Sequence, residues 1–287
     1  MIKINYQKGF IMDTRYETFL KLCEIMNYRK TAEILNMTQP AVTRQIKSLE
    51  AEFNTKLFVY DKRKLEKTES SDILKEYILS LRHNYNLLKD DMQSKKSKTI
   101  KMGATKTIGE YVIDKEVIKN LENSSDNICF YIDNTANLLQ KLENSEIDFA
   151  IVEGIFNKNK YNYKLFKKEQ FCGICSYKSH LAGRKLTLED IFSENIIVRE
   201  KGSGTRDIFE SEIIKKGYNL ENFNRVFEIS SFAIIENLVA RGDGISFVYK
   251  AIADSRDDIE TFELKGLEKS HDFNIVWLKN SKMPEIV

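Results

Sequence analysis

Apolar positions recur at helical spacing between Asn27 and Met92 and bunch into short runs from Thr99 onward. In the first stretch Ala32 and Leu35 share one side of a segment that Asn27 can cap, while Val42, Ile46 and Leu49 share a face of the next. Thr38 opens that second segment and Pro40 sits in its first turn, where a missing N–H costs nothing. Two short helices joined by a tight turn at Asn36–Met37 are therefore predicted. Residues 70–95 read as one long helix. Along it Leu74, Ile78, Leu81, Tyr85, Leu88 and Met92 repeat at alternating steps of four and three, a two-in-seven seam. A helix packed only on its own domain shows a wider stripe, so the seam predicts pairing between subunits. From Thr99 the runs Ile100–Gly103, Ile128–Ile132, Asp148–Val152, Phe171–Cys175, Ile196–Val198, Ile245–Tyr249 and Phe273–Leu278 alternate with helical segments. That alternation predicts an α/β domain.

The second short helix carries its chemistry opposite the apolar stripe. Pro40, Arg44 and Lys47 lie there, with Gln39 and Thr43 beside them. Gln can pair bidentately with adenine, Arg with guanine, and a Thr methyl can touch thymine, which is what major-groove reading requires. Any solvated helix face shows such residues. The pair of short helices, the turn and a following basic hairpin, Leu57–Lys64, favour the DNA reading. Lys62, Arg63 and Lys64 stand at the hairpin's tip, where a wing meets phosphates. At 287 residues the chain is long enough for two or three domains, and 42% apolar content supplies a core for them. No apolar run approaches a membrane span, and Met1–Phe10 lacks the apolar core of a secretory leader, so a cytoplasmic protein is expected. The net charge of +2 hides an asymmetry. Residues 12–98 hold 17 Lys+Arg against 13 Asp+Glu, and residues 99–287 hold 26 against 30. A basic front on an acidic remainder suits a DNA-facing module attached to something else.

The stretch Met12–Thr68 resembles the N-terminal domain of LysR-type transcriptional regulators. The likeness is carried by Arg15-Tyr16-Glu17-Thr18-Phe19, Thr31-Ala32-Glu33-Ile34-Leu35, Leu49-Glu50, Leu57-Phe58 and above all Thr38-Gln39-Pro40-Ala41-Val42-Thr43-Arg44-Gln45-Ile46. It implies an all-α winged helix-turn-helix with a small β wing over 12–69, a coiled-coil dimerisation helix over 70–96, and an effector domain over 97–287. That last domain would resemble type-2 periplasmic binding proteins, with one subdomain at about 99–171 and 276–287 and the other at about 172–275. DNA contacts are then expected from Asn27, Arg29, Thr38, Gln39, Pro40, Ala41, Thr43, Arg44 and Lys47, and from the wing. Three departures stand out. Eleven residues precede Met12, where the family usually begins, so Met12 is expected as the start. No glycine ends the wing, and a last helix would normally follow Val287.

Two strand-to-helix corners are candidates for ligand contact. One is Ala104-Thr105-Lys106-Thr107, opening a helix; the other is Ser203-Gly204-Thr205-Arg206, ahead of a helix at Asp207–Lys216. Each offers free N–H groups and the positive end of a helix. Ligands of open α/β sheets sit beyond the carboxyl ends of strands, and Thr135, Glu153 and Ser231 should reach the same place. Helix capping alone accounts for any one corner. Two corners on one cleft favour a small anionic effector. Glu153 would repel an anion unless Lys106 or Arg206 compensates or the ligand carries a proton.

Cys172 and Cys175 form a CxxC, and a redox or metal-responsive sensor is the alternative function. An offset of three along a strand sends them to opposite faces, so core packing is expected. His83, His180 and His271 lie far apart and are expected at the surface. No catalytic set, cofactor or metal is foreseen. The partners implied are a double-stranded DNA operator, a small effector, further copies of the chain as a dimer of dimers, and RNA polymerase, with no membrane.

Overall fold

The computed structural model describes residues 13–62, 64–92, 99–113, 126–279 and 281. Arg63, the residues before Met12 and the end of the chain lie outside that set. The chain divides into two compact units, one of residues up to 95 with 279–282, the other chiefly of 96–278.

In the first unit α1 (Thr14–Ile25), α2 (Tyr28–Ile34) and α3 (Gln39–Glu52) precede a hairpin of β1 (Phe58–Asp61) and β2 (Lys64–Lys67) and then the long α4 (Glu69–Met92). The caps are those read from sequence. Asn27 Oδ1 accepts from the Lys30 amide at 3.0 Å and Thr38 Oγ1 from the Ala41 amide at 3.3 Å. Asn36 takes a left-handed φ of 53° in the turn between α2 and α3. Phe19, Leu22, Val42, Ile46, Leu49 and Leu57 are all wholly buried, each stabilising the unit by about 1.5–3 kcal/mol. Glu50 ties α3 to the hairpin through the Leu57 amide at 3.0 Å, and Phe58 lays its ring 5.7 Å from that of Phe19.

On α4 the stripe is wider than the seam suggested. Ile78 is 1% exposed, and Leu79, Ser80 and His83 are buried as well, because one side of the helix packs on its own unit. His83 is therefore an interior residue rather than a surface one. Leu81, Leu88 and Met92 remain more than half exposed, and Tyr85 is half-buried. Leu74, Tyr77, Ile78 and Leu81 border an apolar groove completed by Tyr16, Phe53 and Leu57.

The second unit holds β3 (Thr99–Thr105), β4 (Asn127–Asp133), β5 (Phe149–Val152), β6 (Tyr161–Ser176), β7 (Lys185–Leu186), β8 (Asn195–Val198), β9 (Arg225–Glu228), β10 (Ile245–Tyr249), β11 (Ile259–Leu264) and β12 (Ser270–Leu278). Their spatial order is β4-β3-β5-β12-β6-β10-β8-β9, with β11 also on β6 and β7 on β11. β3 runs parallel to β4 and β5, and β8 parallel to β9 and β10, so each end of the sheet is a small parallel lobe. β6 belongs to both. Its residues 161–170 pair with β12, and its residues 171–176 pair with β10 and β11. Helices α5 (Thr135–Glu143), α6 (Gly204–Lys215), α7 (Phe232–Arg241) and α8 (Lys250–Ala253) flank the lobes, and a wide helical turn at Ile108–Val112 follows β3. The core includes Phe209 stacked on Phe247 at 4.2 Å between ring centres. All seven strands read from the sequence are present. The first half of β6, and β7, β9 and β11, were not foreseen.

Candidate functional site: a DNA-facing helix and a ligand cleft

The buried face of α3 sets the direction of everything else on it. With Val42, Ile46 and Leu49 inward, Gln39, Pro40, Arg44 and Lys47 are exposed and Ala41 and Thr43 half-exposed. Thr43 Oγ1 donates to the Gln39 carbonyl at 3.0 Å. No ion pair with a described residue holds Arg44 or Lys47. Arg29, by contrast, pairs with Glu33 at 3.2 Å on the exposed side of α2. Lys62 and Lys64 project from the hairpin tip, Lys64 3.7 Å from Glu66. The far end of α3 is held by Arg15, which reaches Asp13 at 2.7 Å, Ser48 at 2.9 Å and Glu52 at 2.7 Å. That arrangement fixes the helix by its back and its C-terminal end, and presents its N-terminal half.

In the second unit the two predicted corners meet. β3 delivers Thr105 and Thr107, β5 delivers Glu153, and the loop after β8 delivers Ser203, Gly204 and Thr205; Thr105, Thr107, Glu153, Ser203 and Thr205 are all buried. Glu153 is the centre. Thr107 Oγ1 donates to its Oε1 at 3.0 Å, Thr205 Oγ1 to the same oxygen at 3.3 Å, and Thr105 Oγ1 to Oε2. Thr135 Oγ1 donates to the Glu153 backbone carbonyl at 2.9 Å. Burial raises the Glu153 carboxyl above the ordinary carboxylate range, while the hydroxyls and Arg199 pull it back. The backbone closes over this cluster at two glycines. Gly154 takes φ of 94°, and a Cβ there would lie 2.5 Å from the Gly204 Cα. A side chain on either residue would hold the lobes apart.

The cations named from sequence are engaged with the chain itself. Lys106 donates to the Ser230 carbonyl at 2.7 Å and lies 3.5 Å from Glu200. Arg206 reaches Glu228 at 2.6 Å and Glu210 at 2.5 Å. Ser231 caps α7 by position and Ala104 is fully buried in β3. Two residues outside the expected contacts also take part. Arg199, 3% exposed, pairs with Glu200 at 2.8 Å and stacks 4.2 Å above the Phe232 ring. Tyr249, wholly buried at the end of β10, has a hydroxyl with no partner among the described residues. Nothing in a run of apolar residues marks the last as a neighbour of the Glu153 charge.

Cys172 and Cys175 lie on opposite faces of β6, in different parts of the core. Burial pushes their thiols up to about 12 and about 11, so neither is a ready thiolate. That geometry removes the support for a redox centre at this CxxC. Of the remaining histidines, His180 is exposed and His271 half-buried, its ring 5.4 Å from Phe171.

Known proteins resemble this chain in sequence and fold. The LysR substrate binding domain matches residues 93–287, and the bacterial regulatory helix-turn-helix of the lysR family matches residues 14–71. The HTH-type transcriptional regulator CysL of Bacillus subtilis is 28% identical over 241 residues, 82% of this chain and 80% of that one. Among solved structures, an OxyR mutant of Corynebacterium glutamicum gives a TM-score of 0.57 at 17% identity, covering 96% of this chain and 87% of that one. The regulatory domain of Synechocystis CcmR in complex with 2-PG gives 0.58 at 20% identity, covering 66% and 92%. No helix among the described residues is long and apolar enough to cross a membrane.

Proposed function

This chain belongs to the LysR family of DNA-binding transcription regulators and carries an effector-binding domain, and from that premise we propose how it works. The exposed N-terminal half of α3 enters the major groove of an operator. Gln39, Thr43 and Arg44 read base edges there, with Pro40 and Ala41 against the groove wall. Asn27, Arg29, Thr38 and Lys47 meet the flanking backbone, and Lys62 to Lys64 meet phosphates from the wing. The observation that carries this reading is the pairing of a wholly buried stripe, Val42, Ile46 and Leu49, with an Arg44 and a Lys47 that no described carboxylate engages.

The remainder of the scheme is proposed on the same footing. The winged domain spans 12–69, the dimerisation helix 70–96 and the effector domain 97–287. Chains pair through the exposed side of α4, and pairs associate into a dimer of dimers in the cytoplasm. A small acidic effector seats between the corners bearing Thr105, Thr107, Ser203 and Thr205, near Thr135 and Ser231, where the start of α6 favours negative charge. The 2-PG held by the CcmR domain of like fold supports a small-molecule effector. Effector binding shifts the population of lobe arrangements, and so the bend imposed on DNA and the approach of RNA polymerase. The test is Arg44→Ala on the natural operator at fixed salt. Specific affinity falls by about 1–3 kcal/mol, and unchanged binding would refute the assigned face.

A further inference from the structure

The cleft already holds a carboxylate where an acidic ligand would sit. Both oxygens of Glu153 are occupied by hydroxyls, and these come from both corners: Thr105 and Thr107 from the end of β3, Thr205 from the start of α6. The group is 2% exposed. Three cations of the two corners are already engaged. Arg199 and Lys106 are shared out to Glu200, and Arg206 to Glu210 and Glu228. Three cations thus face four carboxylates, counting Glu153. A free anion placed among the threonines would meet a buried like charge, and these three cations are already committed to carboxylates.

A second observation points the same way. β10 runs parallel to β8, so Tyr249 at its carboxyl end lies on the sheet edge from which the Gly202–Arg206 corner rises. Its hydroxyl is fully buried, has no partner among the described residues, and feels the Glu153 charge. Buried donors are almost always used, so an idle hydroxyl near enough to feel the Glu153 charge is free for a further acceptor.

We propose that Glu153 is the resident occupant of the anion seat, an internal ligand that draws the two corners together when no effector is bound. An acidic effector then binds only by displacing it, and Glu153 sets which acids succeed. The proposal rests on the reading that the cleft takes an acidic effector, and its test separates the two. Thermal unfolding of the full chain would be followed in sodium sulfate and sodium phosphate against sodium chloride at matched ionic strength, for the natural protein, E153Q and E153A. The glutamine keeps the shape and removes the charge, so it guards against loss of fold in the alanine variant. The expected result is stabilisation of E153Q by sulfate or phosphate at concentrations roughly tenfold lower than the natural protein needs. Equal response in all three proteins overturns the role of Glu153 while leaving the acidic-effector reading standing. No response in any of them, with the fold intact by circular dichroism, overturns both.

Discussion

Replacing Gly204 by alanine sets two effects of opposite sign against each other. Gly204 is the first residue of α6, and alanine is the better helix former by up to about 1 kcal/mol in a helix interior, less at an end. Against that gain, a Cβ would stand 2.3 Å from the Glu153 carbonyl oxygen, 2.8 Å from its carbon and 2.9 Å from Thr135 Oγ1. Carbon and oxygen approach to about 3.3 Å, so the backbone of one corner must retreat by about 1 Å. No rotamer change relieves a contact between two backbones. Overpacking of this kind costs about 1–3 kcal/mol, and strain on the Thr135 hydrogen bond to that carbonyl adds up to about 1 kcal/mol. The clash wins. At roughly 2–4 °C per kcal/mol for a unit of this size, the midpoint falls by about 2–12 °C. The chain's single tryptophan, Trp277, lies in β12, so its fluorescence follows this unit during heating. A midpoint that stays put or rises would show that the close approach of Glu153 and Gly204 is absent in solution.

Other outcomes follow from the same geometry. The Glu153 carboxyl is raised above its unfolded value, so the folded chain binds that proton more tightly and loses stability as pH rises from about 4.3 through the folded value; E153Q flattens that decline, and parallel melting profiles for the two proteins would refute the burial argument. Leu81→Asp places a charge on the exposed seam of α4 and should shift the chain to monomer by sedimentation, while persistence of the oligomer would move the interface elsewhere. Cys172→Ser with Cys175→Ser should leave operator binding equally insensitive to mild oxidant, since Cys175 is buried, Cys172 half-buried and both poorly ionised; loss of an oxidant response would revive the redox reading. Lys62→Ala and Lys64→Ala should each reduce the salt dependence of DNA binding by a slope of about 1, with little change in sequence preference.

Much of the DNA-facing half was legible because its signals are local. A cap at Thr38, a proline in the first turn and a stripe of Val42, Ile46 and Leu49 fix α3 without reference to the rest of the chain. The corners of the cleft were legible for the same reason. What the sequence hid is non-local or unpatterned. The first half of β6, Tyr161–Gln170, is largely exposed and lysine-rich, so it shows no alternation, yet β12 holds it as strand. His83 is buried because α4 packs back on its unit, which a seam read as intersubunit could not disclose. Glu153 looked like an objection to an anionic ligand. Only the fold shows that hydroxyls from both corners already close on it.

The shared strand has a mechanical meaning. Because β6 is laddered to β12 along residues 161–170 and to β10 and β11 beyond them, a continuous hydrogen-bonded ribbon joins the two lobes beside the contacts at Glu153 and Gly204. Such a joint acts as a torsion spring: it resists sliding and yields to twist. At the register slip between Phe273 and Asn274 the β6 side carries one extra residue, Phe166, and a bulge of that kind bends the strand and increases its local twist. Rotation of one lobe on the other is therefore the motion this ribbon leaves open to the cleft.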